Sequence, residues 1–300
     1  MKTNLNYDMF VPTRTLFGAG TLNELHAQPM PGRKALLVIS NGRSTRANSY
    51  LSRTEEQLRM AGVETVLFDR VEANPLKSTV MAGGAMAREN GCDMIVALGG
   101  GSVMDAAKAI AVVASNGGDY WDYIPCGTGK GKAVAETPLP IVAITTTAGT
   151  HEKTGFVHPG LFPVLAVIDP ELMLTVPPKF TAFQGFDALF HSTEAYISNA
   201  ANLMSDMYAL NAIENVARYL PRAVADGSDL EARTRVAWGN TLSGSVMCVG
   251  RCTSEHSLEH AMSAYHQELP YGAGLIMISK AYYAHFIERH VCDERFVAMA

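Results

Sequence analysis

The sequence has no run of basic residues, no apolar stretch long enough to cross a membrane and no CxxC pair. Its 24 Lys and Arg are outnumbered by 29 acidic residues. Because binding to nucleic-acid phosphates needs a clustered basic surface, the composition disfavours a nucleic-acid partner. The apolar stretches are short and broken by charge or Gly, and the N-terminal MKTNLNYDMF lacks the apolar core of a signal peptide. We therefore expect a cytoplasmic protein with no membrane partner.

Cysteine is scarce and scattered, with five residues in 300. An odd count without close pairs is typical of reduced thiols in a cytoplasm. Cys248 and Cys252 lie four residues apart, and we expect them on one face of a helix. We interpret them as small buried residues, with a metal or redox role as the alternative.

The chain is 48% hydrophobic and 18% charged, which is typical of a globular protein, and its length favours two domains. In the first half, apolar runs alternate with helical patterns, which indicates a parallel sheet wrapped by helices. The predicted strands are Lys34–Ser40, Val63–Phe68, Asp93–Leu98, Pro140–Thr145 and Val164–Ile168. The predicted helices between them are Ser49–Ala61, Thr79–Asn90 and Val103–Ser115.

From Thr181 onward the pattern is helical almost throughout. The predicted helices are Ala182–Ser198, Leu203–Tyr219, Leu230–Val249, Ser254–Tyr265 and Gly274–Arg289. The sequence therefore predicts an α/β N-terminal domain over residues 1–175 and an all-α C-terminal domain over residues 176–300. The Val176-Pro177-Pro178 segment is the predicted connector.

The string Gly99-Gly100-Gly101-Ser102 follows a buried strand and opens a helix. Glycines there let the backbone approach a pyrophosphate, and the helix N-terminus offers amide groups and a positive dipole end. Three glycines also suit an ordinary tight turn, and the spacing is not the G-x-G-x-x-G fingerprint. Asp105 lies near the positive end of the helix, although with Lys108 it also reads as a solvated i,i+3 pair.

Thr145, Thr146 and Thr147 follow another predicted strand. Their hydroxyls suit contacts to a ribose or a phosphate, and a polar turn is the equal alternative. They are the second candidate segment for binding a nucleotide.

The helical half carries two pairs of metal-ligating residue types at helical spacing. Asp187 and His191 are four residues apart, and His256 and His260 repeat that spacing, with His266 just beyond. A carboxylate and imidazoles that converge from different helices suit a divalent first-row metal. Each pair taken singly also reads as a surface pair, but together they favour a metal site.

The sequence resembles the iron-containing alcohol dehydrogenase family over nearly the whole stretch from Pro12 to the last residues. The resemblance is carried by PTRTLFGAGTL (12–22), GGGSVMDAAKAIA (99–111), TTTAGT (145–150), VIDPELMLTVPP (167–178), GFDALFHSTEAYIS (185–198) and HSLEHAMSAYHQELPYGAGL (256–275). It implies a dehydroquinate synthase-like architecture, with a dinucleotide-binding domain, a helical domain and an active site in the cleft between them. It also implies NAD(P)(H), a divalent metal, Fe²⁺ before Zn²⁺, a small alcohol or aldehyde as substrate, and a homo-oligomer.

In that family an Asp and three His hold the metal, and Asp187, His191 and His256 match the first three ligands. The fourth is expected from a Pro-His-Gly segment, where this chain has Pro270-Tyr271-Gly272. Tyr271 as a phenolate, or His266, is the candidate replacement, although a neutral Tyr is a poor ligand. His260 resembles the histidine of the family that lies near the nicotinamide, which implies a catalytic role in proton relay.

The residues after the first strand bear on the choice of cofactor. An acidic residue there would bond the 2′-hydroxyl of NAD and repel a 2′-phosphate. This chain has Ser40, Asn41 and Gly42, followed by Arg43, and no carboxylate. The segment therefore favours NADP(H), with an ordinary polar turn as the alternative.

The departures from the family pattern leave rival interpretations. After Thr150 a hairpin of about 15 residues is missing, and the family continues past Ala300, so we expect the sequence to be part of a longer chain. The Tyr271 change makes a metal-independent, maleylacetate-reductase-like enzyme conceivable. An inactive homologue that binds a nucleotide or serves in an assembly is the third interpretation.

Overall fold

The structure is a computed structural model that describes residues 3–147, 156–266 and 268–300. The predicted gap between Thr150 and His151, and Gln267, lie outside the described residues. The chain divides into two compact units, one of Pro12–Leu172 and the other of Met1–Val11 with Met173–Ala300. The boundaries predicted from the sequence, 1–175 and 176–300, remain a prediction about domains.

The first unit is a six-stranded parallel sheet with helices packed on it. The strand order is β1-β6-β5-β4-β2-β3. The strands are β1 Arg14–Phe17, β2 Lys34–Ser40, β3 Glu64–Val71, β4 Met94–Gly99, β5 Ile141–Thr145 and β6 Leu165–Ile168. The helices are α1 Ser44–Ala47, α2 Tyr50–Met60, α3 Lys77–Glu89 and α4 Gly101–Asn116. Short 3-10 helices cover Thr21–Ala27, Tyr120–Tyr123, Pro159–Leu161 and Pro170–Met173.

The central strands are buried on both faces because each face carries its own apolar cluster. Leu37, Val96 and Val142 belong to the cluster on one face, which Leu22 and Leu58 complete. Alternate residues of the same strands point to the other face, where they pack against α3 and α4. This explains the near-continuous apolar runs of β2 and β4, and the α/β prediction for the first half is confirmed.

The second unit is helical. Its helices are α5 Pro178–Ile197, α6 Leu203–Ala225, α7 Leu230–Val249, α8 Glu255–Tyr265, α9 Tyr271–Glu288 and α10 Asp293–Met299. No strand lies among residues 173–266 and 268–300, which confirms the all-α prediction for this half. The N-terminal segment belongs to this unit, since the Asn4 amide donates to the Ala201 carbonyl at 3.0 Å.

Within the described ranges, no helix has the length and apolar character that crossing a membrane requires.

Candidate active site

The three predicted dinucleotide-binding segments all lie at the carboxyl ends of neighbouring strands. Ser40 ends β2, Gly99 ends β4 and Thr145 ends β5, and β4 pairs with both β2 and β5. The Thr146 amide donates to the Gly99 carbonyl at 2.9 Å. Ligands bind at this edge of open parallel sheets, so the fold brings these segments to the expected place.

The glycine loop fits closely against its neighbours. A Cβ on Gly100 would lie 2.7 Å from the Thr147 Oγ1, and one on Gly99 would lie 2.6 Å from the Val103 Cγ2. Gly100 is the N-cap of α4, in extended conformation, and its carbonyl accepts the amide hydrogen bonds of Val103 and Met104 at 3.0 and 3.1 Å. The loop therefore needs residues without a side chain, and the first-turn amides of α4 start directly behind it.

Asp105 on α4, and Asn41 with Gly42 after β2, are also predicted cofactor-binding residues. Asp105 and Lys108 on α4 are 4.0 Å apart, the spacing of a loose i,i+3 ion pair. The Asn41 amide donates to the Val71 carbonyl at 2.8 Å, while Asn41 and Gly42 are both exposed. The segment after β2 is thus anchored through its backbone and accessible through its side chains.

In the helical unit, α5 carries Asp187, His191 and Glu194 at positions i, i+4 and i+7, which lie on one helix face. Asp187 is 6% exposed and Glu194 is fully buried, while His191 is half-buried. Burying two carboxylates on one face is costly unless positive or hydrogen-bonding groups meet them. The start of α8 supplies those groups.

Glu194 holds the first turn of α8 in place. Its Oε1 accepts hydrogen bonds from the Glu255 amide at 2.6 Å and from the Thr253 hydroxyl at 2.8 Å. Its Oε2 accepts from the His256 amide at 3.3 Å and from the His256 Nδ1. A carboxylate at a helix N-terminus also interacts favourably with the helix dipole. Through these bonds Glu194 fixes where the His256 ring points.

The structure brings Asp187, His191 and His256 together. The Asp187 Oδ1 lies 3.4 Å from the His191 Nδ1 and 3.5 Å from the His256 Nε2. The two imidazole ring centroids are 3.8 Å apart. These contacts join three of the predicted metal ligands from two different helices.

Two atoms of this group are buried and, among the described residues, have no hydrogen-bond partner: the Asp187 Oδ1 and the His256 Nε2. An unsatisfied buried carboxylate oxygen and imidazole nitrogen would each cost free energy. A cation between them removes both costs. The residues present therefore fit a divalent metal ion, and the donor types are those of first-row metal sites.

The other ring nitrogens are already engaged. His191 Nδ1 lies 2.9 Å from the Asp187 carbonyl oxygen, and His256 Nδ1 bonds to Glu194. Protons on these two atoms leave the Nε2 lone pairs available, which is the usual arrangement for metal-ligating histidines.

The charges around His256 favour a cation. Burial alone would lower the pKa of His256, but the neighbouring Asp187, Cys252 and Glu194 side chains raise it to about 12. Burial likewise acts to raise the pKa of Glu194, yet its bonds to His256 and Thr253 bring it below its usual range. Burial lowers the pKa of His191, which keeps that ring neutral. The surroundings that stabilise an extra proton on His256 would also stabilise a metal ion.

The remaining predicted residues lie in different surroundings. His260 is exposed on α8, and its Nε2 lies 2.8 Å from the Tyr271 hydroxyl. Tyr271 is buried, and burial together with the Asp187 charge raises its pKa. A phenol held neutral in this way is a poor metal ligand. The side chain of His266 is 66% exposed and faces Glu268 at 3.9 Å, so the structure does not bring it to the other three.

Sequence reasoning missed Glu194 and misplaced Cys252. The i, i+4, i+7 spacing of Asp187, His191 and Glu194 was the signal that could have revealed the first. Cys252 was expected on one helix face with Cys248, but α7 ends at Val249 and Cys252 lies in the connection to α8. The connection turns its thiol toward the two histidines: Cys252, His191 and His256 each place one ligand atom within 4.8 Å of the others.

Comparison with known proteins matches both halves of the chain. The model of the iron-containing alcohol dehydrogenases matches residues 12–170, and that of the C-terminal part of the Fe-containing alcohol dehydrogenase family matches residues 181–299.

Among individual proteins, the chain is 35% identical over 279 residues to alcohol dehydrogenase 4 of Schizosaccharomyces pombe, covering 88% of this chain and 64% of that protein. It is 31% identical to the NAD-dependent methanol dehydrogenase of Bacillus methanolicus, covering 87% and 71%. The crystal structure of a 1,3-propanediol oxidoreductase superposes with a TM-score of 0.85 at 32% identity, covering 98% of this chain and 79% of that one. The chain thus spans less than two thirds of the length of the fission-yeast relative. With both halves matched in order, the chain belongs to the iron-containing alcohol dehydrogenase family.

Proposed function

We propose that the protein transfers a hydride between NAD(P)(H) and a small alcohol or aldehyde, with a divalent metal held by Asp187, His191 and His256. The observation that carries the proposal is the pair of buried, unsatisfied atoms, Asp187 Oδ1 and His256 Nε2, 3.5 Å apart beside His191. Family membership and the names of the relatives agree with it.

A bound metal would supply Lewis acidity toward the oxygen of the substrate. Asp187 would contribute the negative charge that holds the ion, and His191 a neutral nitrogen. Glu194 bonds to the His256 Nδ1, which would leave the Nε2 lone pair available to the ion.

We assign the exchange of protons with solvent to His260. It is exposed and therefore in contact with water, and its Nε2 shares a hydrogen bond with the buried Tyr271 hydroxyl. Imidazole changes protonation near neutral pH, which suits a relay between bulk water and a site that binds alcohols. Tyr271 supplies the inner end of that relay as a neutral hydroxyl.

The dinucleotide is assigned to the loop of Gly99, Gly100, Gly101 and Ser102 and to Thr145, Thr146 and Thr147. The pyrophosphate would meet the amides at the start of α4, and the ribose the threonine hydroxyls. We infer a preference for NADP(H), because Ser40, Asn41 and Gly42 offer no carboxylate to repel a 2′-phosphate. The relative from Bacillus methanolicus is named as NAD-dependent. The proposed preference for NADP(H) is therefore based on the residues of this chain alone.

Metal analysis combined with turnover tests the proposal. The purified full-length protein should bind a divalent metal, oxidise short alcohols with NAD(P), and lose turnover when a chelator removes the ion. Hydride transfer that persists without metal would instead support the maleylacetate-reductase-like alternative. Dinucleotide binding without turnover on any alcohol or aldehyde would support an inactive homologue.

A homo-oligomer is part of the proposal, on the strength of the family resemblance. Light scattering of the full-length protein tests it, and a monomer at all concentrations would contradict it.

A further inference from the structure

Cys252 lies in the short connection between α7 and α8, four residues before His256. Its side chain is half-buried, and its Sγ lies 3.6 Å from the sulfur of Met247. One ligand atom from each of Cys252, His191 and His256 lies within 4.8 Å of the other two. The sulfur therefore faces the same space as the two imidazoles.

This thiol is not an isolated cysteine beside a helix. His256 is 5% exposed, and its Nε2 is buried with no hydrogen-bond partner in the described chain. The Asp187 Oδ1, in the same condition, lies 3.5 Å from that nitrogen. Two nitrogens and a sulfur thus lie close together, and the Asp187 oxygen lies beside one of those nitrogens.

Tyr271, the residue at the family's fourth ligand position, does not compete with Cys252 for the role of fourth ligand. The Tyr271 hydroxyl instead bonds to the His260 Nε2 at 2.8 Å. A site with only Asp187, His191 and His256 would lack one protein ligand of the family pattern.

We propose that the Cys252 thiolate is the fourth protein ligand of this site and that the resulting oxygen, nitrogen and sulfur donor set selects Zn²⁺ over Fe²⁺. The proposal rests on the metal site of the proposed function and specifies its composition. On binding, the sulfur–proton bond is replaced by a sulfur–metal bond, and the proton leaves to solvent. No electron is transferred.

The chemistry of the donors supports zinc. Thiolate is a soft ligand that favours zinc, whereas sites of carboxylate and imidazole alone accept several first-row ions. Donor atoms at about 2.0–2.3 Å from a tetrahedral zinc lie roughly 3.3–3.8 Å apart. The 3.5 Å separation between the Asp187 Oδ1 and the His256 Nε2 matches that spacing. Zinc also accepts a fifth ligand, which leaves room for a substrate oxygen.

X-ray absorption of the zinc-loaded full-length protein tests the proposal directly. We expect one sulfur neighbour at about 2.3 Å, with the other neighbours, nitrogen and oxygen, at about 2.0–2.2 Å. Cys252→Ser should lose the sulfur neighbour and bind zinc at least about tenfold more weakly in a chelator competition. Cys248→Ser is the matched control, because that thiol bonds to the Gly244 carbonyl on α7 and should leave both measurements unchanged.

The cobalt-substituted protein gives a second readout, since a thiolate ligand adds an intense near-ultraviolet charge-transfer band that Cys252→Ser should remove. If zinc binds with only nitrogen and oxygen neighbours, the role of Cys252 is wrong and the proposed function survives. If the wild-type protein binds no divalent metal at all, both the cysteine ligand and the proposed metal site are wrong. Stronger loading of Fe²⁺ than of Zn²⁺ at equal concentrations would overturn the zinc selectivity.

Discussion

The two compact units differ in the chemical groups that their candidate residues offer to a polar ligand. The interior of the sheet unit is mainly apolar, with Asp169 as a buried carboxyl group that accepts from backbone amides. Most of its candidate residues are glycines and small hydroxyl residues at the carboxyl ends of strands. The helical unit buries several carboxyl groups in its candidate site and around it: Glu194, Glu255 and Glu259 are each 0% exposed. The first unit therefore presents backbone groups, and the second presents side-chain charges.

The two units should therefore tolerate different kinds of substitution. In the sheet unit, an added methyl group at a strand end changes the shape of the loop, whereas the net charge matters little. In the helical unit, an isosteric loss of one charge leaves the shape intact and removes the binding chemistry.

The largest effect is expected for Asp187→Asn. The change keeps the shape of the side chain and removes the only carboxylate charge that contacts both histidines among the described residues. Because loss of groups behind the ligands typically costs 10- to 100-fold, loss of a ligand should weaken metal binding by about 100-fold or more. Chelator competition measures it, with dinucleotide binding unchanged as the internal control. Unaltered metal affinity would remove Asp187 from the site.

Glu194→Gln should have the next largest effect. The amide cannot accept from all of its present donors, and it removes the charge opposite the His256 Nδ1. We expect about a 10- to 100-fold loss of metal affinity. Glu214→Gln, on the exposed side of α6, is the matched control and should change nothing. Equal metal affinity in the two variants would show that Glu194 stabilises the start of α8 without contributing to metal binding.

Gly100→Ala tests the backbone side of the comparison. The new Cβ would lie 2.7 Å from the Thr147 Oγ1, so the two segments must separate. We expect about a tenfold rise in the dinucleotide Kd, about 1.4 kcal/mol, with metal affinity unchanged. Gly244→Ala is the control, since its Cβ would meet nothing within 4 Å. A Gly100 variant with weaker metal binding and unchanged dinucleotide binding would contradict this contrast between the two units.

The smallest effect is expected for Ser40→Asp. A carboxylate at the end of β2 should bond a ribose 2′-hydroxyl and repel a 2′-phosphate. The ratio of kcat/KM values for NADP and NAD should fall by about tenfold, which is about 1.4 kcal/mol. Ser52→Asp, exposed on α2, should leave that ratio unchanged. An unchanged ratio in the Ser40 variant would refute the role of this position.

Most of the sheet was predictable because a buried parallel strand is a continuous apolar run. The prediction for Lys34–Ser40 is confirmed at both ends. The edge strand Arg14–Phe17 escaped, since it has four residues, half of them exposed, and its apolar signal is correspondingly weak. The predicted start of the last long helix at Gly274 was wrong, because the helix begins at Tyr271.

That last error has a packing cause. Glycine disfavours a helix, so Gly272 and Gly274 hid its first turn. A Cβ on Gly272 would lie 2.3 Å from the Phe183 carbonyl oxygen, and one on Gly274 would lie 2.7 Å from the Glu259 Oε1. The glycines are therefore there for close contact between helices, which no local propensity can register.

The candidate site was predictable where its residues share a helix and less so elsewhere. The spacing of Asp187 and His191 places them on one face whatever the rest of the fold does. That His256 meets them depends on the packing of α8 against α5, which family resemblance indicated and local pattern did not. Cys252 lies near the two histidines because of the path of the non-helical connection between α7 and α8. The spacing of Cys252 and His256 in the sequence does not predict that path.

Because one carboxylate anchors both the beginning of α8 and the ring of His256, opening of that first turn would also release an ion bound at the proposed site. When the first turn of α8 opens, the Glu255 amide and the His256 ring leave Glu194 together. An ion at this site would then stay bound only as long as the first turn of α8 stays closed. Amide exchange at Glu255 and the rate of metal release should therefore slow or quicken in parallel across variants.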